Sequence, residues 1–188
     1  MKVFRVRADS DQFQYFVFSN SQVEEEYYKL GLTKFDGTPL ADLWKACEVK
    51  IHKPRLKRPD FYAFCGGLWV TSPELLNKTA MFFEMAGELL PVTYQGEEWN
   101  AFNVTNCIDC IDDQKTEWRT VPSGGRVMEK PAFDPGQFDE SSIFKIPHST
   151  SQILCYEATG DPETEFKAFV KEEKLTGLTF REIWSDEK

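Results

Sequence analysis

The sequence contains little histidine and no long apolar run. Histidine occurs twice in 188 residues, as His52 and His148, and neither lies in a recognisable nucleophile or metal-binding motif. No segment approaches the roughly 20 consecutive apolar residues that a membrane-spanning helix needs. The segment MKVFRVRADSDQF carries charges where a secretion signal would be apolar. We therefore expect a cytoplasmic protein with no membrane partner, whose five cysteines are reduced thiols.

Basic residues are outnumbered in this chain. Lys and Arg total 22 against 31 Asp and Glu, which gives a formal net charge of −9 at pH 7. Because phosphate recognition needs a surplus of basic side chains on the contacting face, this balance argues against nucleic acid as a direct ligand. For the one basic cluster, HKPRLKRPD at residues 52–60, we favour a solvated loop over a phosphate-binding patch. The acidic surface would suit a basic protein partner.

Apolar and aromatic residues are plentiful enough for a packed core. They make up 41% and 14% of the chain, so a disordered chain is not expected. Segments rich in β-branched and aromatic residues occur in runs, among them KVFRV, QYFVF, SSIFKIP and QILCYEA. The sequence predicts an α+β fold, with a mainly antiparallel sheet and two or three packed helices, in a single domain over residues 1–188.

Two helices and a closing strand are predicted from local signals. Ser72 is a plausible N-cap with Pro73 at the first helical position, and apolar residues then recur at helical spacing. Asp161 and Pro162 similarly predict the start of a second amphipathic helix. In the final strand, LTFREIW, we expect one face to be shared by Leu178, Phe180 and Trp184.

The segment NCIDCIDD at residues 106–113 places two thiols three positions apart. We interpret residues 99–111 as one half-buried strand, in which Cys107 and Cys110 point to opposite faces, too far apart for a disulfide. Carboxylates around the thiols would raise their pKa, and no second Cys or His pair completes a zinc site. A structural strand is favoured over a redox or metal site. No catalytic, cofactor-binding or metal-binding residue is predicted, and no cofactor.

The acidic segment that follows is the predicted partner surface. It leaves a buried strand and enters a polar stretch, so its carboxylates should be solvated, and its tryptophan offers a large amphipathic contact area. The residues predicted to bind a partner are Asp109, Asp112, Asp113, Glu117 and Trp118. The competing interpretation is an ordinary solvated turn with Trp118 packed into the core.

The order of several segments resembles a known family. RPDFYAFCGGLWVTSPELLNKT, ELLPVTYQGEEWNAFNVTNCIDCIDDQKTEW, SSIFKIPHSTSQILCYEA and LTGLTFREIW follow one another as similar segments do in bacterial immunity protein family eleven, formerly a domain of unknown function. The resemblance covers about residues 58–184, with Thr116 where the family usually has Ser. Residues 1–57 match loosely and form a strand-rich N-terminal part of the same domain.

The resemblance implies an antidote to a polymorphic bacterial toxin rather than an enzyme. Such an immunity protein would bind its cognate toxin stoichiometrically, and no catalytic residues are implied. The alternative is a small-molecule-binding protein or thiol-dependent enzyme whose site has no recognisable sequence motif. An enzyme needs a cleft with convergent polar groups, whereas a protein binder needs an exposed patch with aromatic anchors. The sequence predicts no oligomeric state.

Overall fold

Strands outnumber helices in this fold. The computed structural model describes residues 1–122 and 124–187. The helices in these ranges are α1 (Ser21–Lys29), α2 (Pro73–Ala86) and α3 (Phe166–Glu172). The strands are β1 (Lys2–Ala8), β2 (Tyr15–Phe18), β3 (Cys47–His52), β4 (Tyr62–Phe64), β5 (Leu68–Thr71), β6 (Gly87–Tyr94), β7 (Glu97–Val104), β8 (Glu117–Thr120), β9 (Arg126–Lys130), β10 (Ile143–Phe144), β11 (Ile153–Glu157) and β12 (Leu178–Ser185).

These strands form two main sheets and one separate hairpin. The large sheet has the order β2-β3-β6-β7-β5-β4, and the small sheet has the order β10-β11-β1-β12. Strands β8 and β9 pair with each other as a hairpin outside both sheets. Every strand pairing in the described residues is antiparallel except that of β3 with β6. The predicted α+β fold with mainly antiparallel sheets is confirmed.

Helix α2 forms where local signals predict it. The Ser72 side chain accepts a hydrogen bond from the backbone N–H of Leu75. Pro73 occupies the first turn, where the N–H group that proline lacks would have no partner within the helix. Buried side chains recur at helical spacing through the helix and place its apolar face against β6 and β7. The chain then passes into β6 without a linker, since Gly87 is both the C-cap and the first strand residue.

The buried apolar side chains form three clusters. The first covers one face of the large sheet, beneath α1, and includes Trp99. The second joins the other face of that sheet to α2, α3 and the small sheet, and its Phe83 and Phe102 rings stack with centroids 4.0 Å apart. The third lies on the outer face of the small sheet, where Phe133 from the segment between β9 and β10 covers Val3 of β1. The small sheet is therefore covered on both faces.

The start of α3 differs from the prediction. The helix begins at Phe166, whereas Asp161 and Pro162 belong to a preceding turn. The cause is Glu165, which is 3% exposed and accepts hydrogen bonds from the backbone N–H groups of residues 158–160. Burial alone would raise the pKa of this carboxyl, but these N–H donors outweigh burial and hold the pKa below its usual value. The Glu165 carboxylate, held by the preceding turn, thus places the helix start later than the Asp-Pro pair favours.

The closing strand β12 contains a bulge. Its register against β1 shifts between Val3 and Phe4, so Ile183 is an extra residue in the pairing. Phe180, before the bulge, packs in the second cluster, whereas Trp184, after it, packs in the third cluster on the opposite face. The prediction that Trp184 shares a face with Phe180 is wrong, because one inserted residue exchanges the faces of a strand.

Candidate functional site

The outer face of the small sheet changes from apolar to cationic along its length. Alternation along β1 puts Val3 and Arg5 on this face, and Val3 is buried in the third cluster. The cross-strand neighbours of Arg5 are Leu154 in β11 and Arg181 in β12. Where the apolar cover ends, the sheet therefore presents two arginines side by side.

A groove of about 620 Å³ runs over these arginines. Residues of the β8–β9 hairpin and of a 3-10 turn at Pro147–Ser149 line it together with residues of the small sheet. We call this feature the arginine groove and define it by Arg5, Trp118, Arg126, His148, Arg181 and Trp184. Its volume lies within the range typical of small-molecule sites.

Trp118 of the hairpin is held by charged and aromatic neighbours. Its side chain is half-buried, with the guanidinium carbon of Arg126 4.6 Å from the centre of its ring. The His148 ring, on the 3-10 turn, lies beside the indole, with its centroid 5.4 Å from that of Trp118. Cation–π and ring contacts of this kind orient the indole without removing it from solvent. The Trp118 Nε1 is buried without a hydrogen-bond partner among the described residues.

Positive charge in the groove is incompletely matched. Lys130 pairs with Glu117 at 2.9 Å, and the acidic Glu182 lies 3.7 Å from Lys2. None of the arginines forms an ion pair within residues 1–122 and 124–187. Burial, together with the charges of Arg7 and Arg181, lowers the pKa of Arg5. Four basic side chains line the groove against Glu129 and Glu182, so it keeps a net positive charge in an acidic protein.

The residues predicted to bind a partner fall into two groups. Trp118 lines the arginine groove, and Glu117 stands beside it, paired with Lys130 of the hairpin. Asp109 and Asp113 are exposed but do not line the groove. Asp112 is engaged locally, because its carboxylate accepts the backbone N–H groups of residues 114 and 115 and pairs with the Lys115 ammonium at 2.7 Å.

The two cysteines of NCIDCIDD do not lie in one continuous strand. β7 ends at Val104, and Cys107 makes a single β-bridge with Lys145. The predicted strand over residues 99–111 is therefore too long, since the chain leaves the large sheet to cover the outer face of the small sheet. Cys107 is exposed and Cys110 is fully buried in the third cluster, so the thiols differ in burial although they do not lie on opposite faces of one strand as predicted. Burial raises the pKa of both thiols, to about 12 for Cys110.

Lys145 is a buried cation that no local sequence pattern predicts. Its side chain is among the largest fully buried ones, at 1% exposure, and its ammonium donates to the carbonyl of Phe35. Burial lowers the pKa of Lys145 to about 8, although the nearby Asp36 and Cys107 act in the opposite direction. The lysine ties the loop after α1 to the small sheet and carries an electrostatic cost while protonated.

Replacing Lys145 with methionine should change how stability depends on pH. The folded-state pKa of about 8 lies below the ordinary value of 10.5, so the unfolded chain binds more protons between these pH values. The free energy of unfolding of the wild type should therefore rise with pH across this window, relative to K145M, by on the order of 2–3 kcal/mol. Chemical denaturation at pH 7 and pH 10 measures the difference.

The matched control is Lys34→Met, at an exposed lysine in the loop after α1 that Lys145 contacts. Its stability should follow that of the wild type at both pH values. Because Lys145 acts on the pKa of Cys107, all three proteins are compared in a Cys107→Ser background. Ionisation of the tyrosines and the other cysteines is then common to them. Parallel pH dependence of K145M and the wild type would contradict the burial of a titrating ammonium.

The arginines of the groove escaped the sequence analysis. Arg5 and Arg181 are far apart in the chain and meet only through the β1–β12 pairing. Each interrupts a strand pattern otherwise rich in apolar residues, and that interruption is the one local signal they leave. His148, which lies in no nucleophile or metal-binding motif, is in the 3-10 turn, and its contact with Trp118 was not predicted.

Neither the protein-family models nor the curated proteins give a match to the chain. Across residues 1–122 and 124–187, no three His, Cys, Asp or Glu side chains are grouped as a metal site would require. The helices in the same part of the chain are all too short or too polar to cross a membrane.

Proposed function

We propose that this chain is a bacterial immunity protein that binds a cognate toxin stoichiometrically and neutralises it in the cytoplasm. The observation that carries the proposal is the half-buried Trp118, oriented by Arg126 on a hairpin that stands outside both sheets. Tryptophan and arginine are the residue types that most often dominate binding energy at protein interfaces. The resemblance of residues 58–184 to immunity protein family eleven supports the same function.

The surroundings of Trp118 suit a protein contact. The hairpin is mostly exposed, and its Val127 is 44% exposed, so an apolar side chain accompanies the indole at the surface. Asp109 and Asp113 are solvated nearby in the chain and are free to meet a basic partner. An anchor with charges around it is the usual anatomy of a specific interface.

The thiol-dependent alternative is less well supported. A nucleophilic cysteine needs a lowered pKa, usually beside a cation or a helix N-terminus. Cys107 is the exposed thiol, and burial outweighs the opposing effect of Lys145, so its pKa is raised. Burial also raises the pKa of Cys47, to about 11. These thiols are therefore poor nucleophiles at neutral pH.

Binding to the product of the adjacent gene tests the proposal. Surface plasmon resonance should give saturable binding of the wild type, and Trp118→Ala should speed dissociation roughly 30-fold, the equivalent of about 2 kcal/mol. Asp109→Lys combined with Asp113→Lys should instead slow association and flatten its salt dependence, because solvated rim charges act mainly on the on-rate. Asp112 is left intact because it holds its own turn.

Tyr28→Ala provides the matched control. Tyr28 is an aromatic side chain that is 60% exposed on α1, which packs on the large sheet rather than beside the hairpin. Its replacement should leave both rate constants unchanged. Wild-type kinetics for the Trp118 and aspartate variants would place the interface elsewhere, and no binding by the wild type would reject this toxin as the partner.

A further inference from the structure

We propose that the arginine groove binds a small molecule that carries a carboxylate or phosphate group, held by Arg5 and Arg181. The first argument is their register. The two residues are directly paired across β1 and β12, with Arg7 one position further along the same face. Like charges directly opposite each other destabilise a sheet. A bound oxyanion between them would convert this repulsion into attraction.

The second argument is the lack of acceptors for the donors in the groove. The Nε of Arg5 is buried without a hydrogen-bond partner among the described residues, and no ion pair of Arg5, Arg126 or Arg181 occurs there. A guanidinium has five N–H donors and no acceptor, and the two carboxylates that line the groove, Glu129 and Glu182, form no ion pair with these arginines in the described part of the chain. Planar guanidinium groups match the two oxygens of a carboxylate or phosphate.

The third argument is the shape of the groove. At about 620 Å³, lined by the hairpin, the 3-10 turn and the small sheet, it has the size of a small-molecule site. The rings of Trp118, Trp184 and His148 supply flat surfaces around the two arginines. This combination would receive a ligand with a charged oxyanion at one end and a less polar body. The groove shares Trp118 with the proposed interface, but Arg5 and Arg181 belong to the sheet, so oxyanion binding is tested on residues that the toxin proposal does not use.

Isothermal titration calorimetry of the full chain tests this site, with pyrophosphate and citrate as the two probes. At least one probe should bind saturably with a stoichiometry of one, despite the net charge of −9. Arg5→Gln and Arg181→Gln should each weaken binding at least tenfold, because a charge-assisted contact is lost. Arg5→Lys should also weaken binding, since an ammonium keeps the charge but not the planar fork.

The matched control is Arg119→Gln, which removes an exposed arginine of the same hairpin that does not line the groove. Its affinity should equal that of the wild type. Arg181 is exposed, so Arg181→Gln should fold normally, and an unchanged melting temperature checks this. An equal loss of affinity in Arg119→Gln would overturn the site in favour of diffuse charge attraction.

Two further outcomes would overturn the proposal. If neither probe binds to the wild type, the groove does not hold small oxyanions. A terminally blocked Asp-Glu peptide that binds, when pyrophosphate and citrate do not, would identify the groove as a docking site for an acidic protein segment. Stronger binding of pyrophosphate than of citrate would support a phosphate ligand, and the reverse a carboxylate ligand.

Discussion

Truncation of the chain after Thr176 should abolish soluble folding. The deletion removes β12, which pairs with β1 from Lys2 to Ala8. It also removes side chains that pack in two separate clusters, Phe180 in the second and Trp184 in the third. Without β12, strand β1 becomes an unpaired edge with buried residues on both faces, which favours aggregation over folding. Soluble yield and far-ultraviolet circular dichroism measure the outcome.

Truncation after Ser185 is the control for this deletion. It keeps all of β12 and removes the ion pair between Asp186 and the N-terminal ammonium, and an exposed pair of this kind contributes little to stability. This shorter deletion should remain soluble, with a melting temperature close to that of the full chain. A protein truncated after Thr176 that melts like the wild type would mean that β1 is stable without its edge partner.

Replacing Gly87 with alanine should destabilise the fold by about 3 kcal/mol through overpacking. A Cβ atom at this position would lie 2.0 Å from the backbone oxygen of Asn103 and 3.0 Å from the backbone nitrogen of Thr105. Neither atom can easily move, because β6 and β7 pair along eight residues beginning at Gly87. The φ of Gly87 is extended, so the expected cost is steric rather than torsional. Thermal unfolding should show a fall of roughly 6–12 °C.

Gly136→Ala is the matched control for the Gly87 substitution. It makes the same chemical change in a 3-10 turn, where the nearest heavy atom to the new Cβ, Oδ1 of Asp134, is 3.4 Å away. That contact is close to ordinary van der Waals distance, so the melting temperature should change little. Equal melting temperatures for G87A and the wild type would mean that β6 and β7 separate without cost at the helix-to-strand junction.

Local signals in the sequence predicted the fold class and the best-defined helix. Ser72 and Pro73 fix the start of α2 through contacts within one turn, so one segment of sequence contains all the necessary information. The start of α3 was not predictable in this way, because Glu165 is anchored by the loop before it. The face of Trp184 was likewise mispredicted, because the bulge in β12 is defined only by its register against β1.

The candidate site shows the same limit of sequence reasoning. Trp118 could be selected from its residue type and its polar surroundings, and it lines the arginine groove. The arginine pair of the groove could not be predicted, because Arg5 and Arg181 become neighbours only when β1 pairs with β12. A single anchor residue can be identified from its chemistry. A site assembled from strands that are distant in the sequence can be identified only once the order of the strands in the sheet is known.

The position of β1 between β11 and β12 has a consequence for synthesis on the ribosome. β1 is made first, yet both of its partners are made last, since Ala8 and Ile153 are separated by about 145 residues. At about 5–20 residues per second, β1 therefore waits roughly 7–29 s without a partner. During that time its buried residues, among them Val3 and Val6, are available to chaperones or to other nascent chains. The small sheet, and the arginine groove upon it, can form only after translation has passed β12.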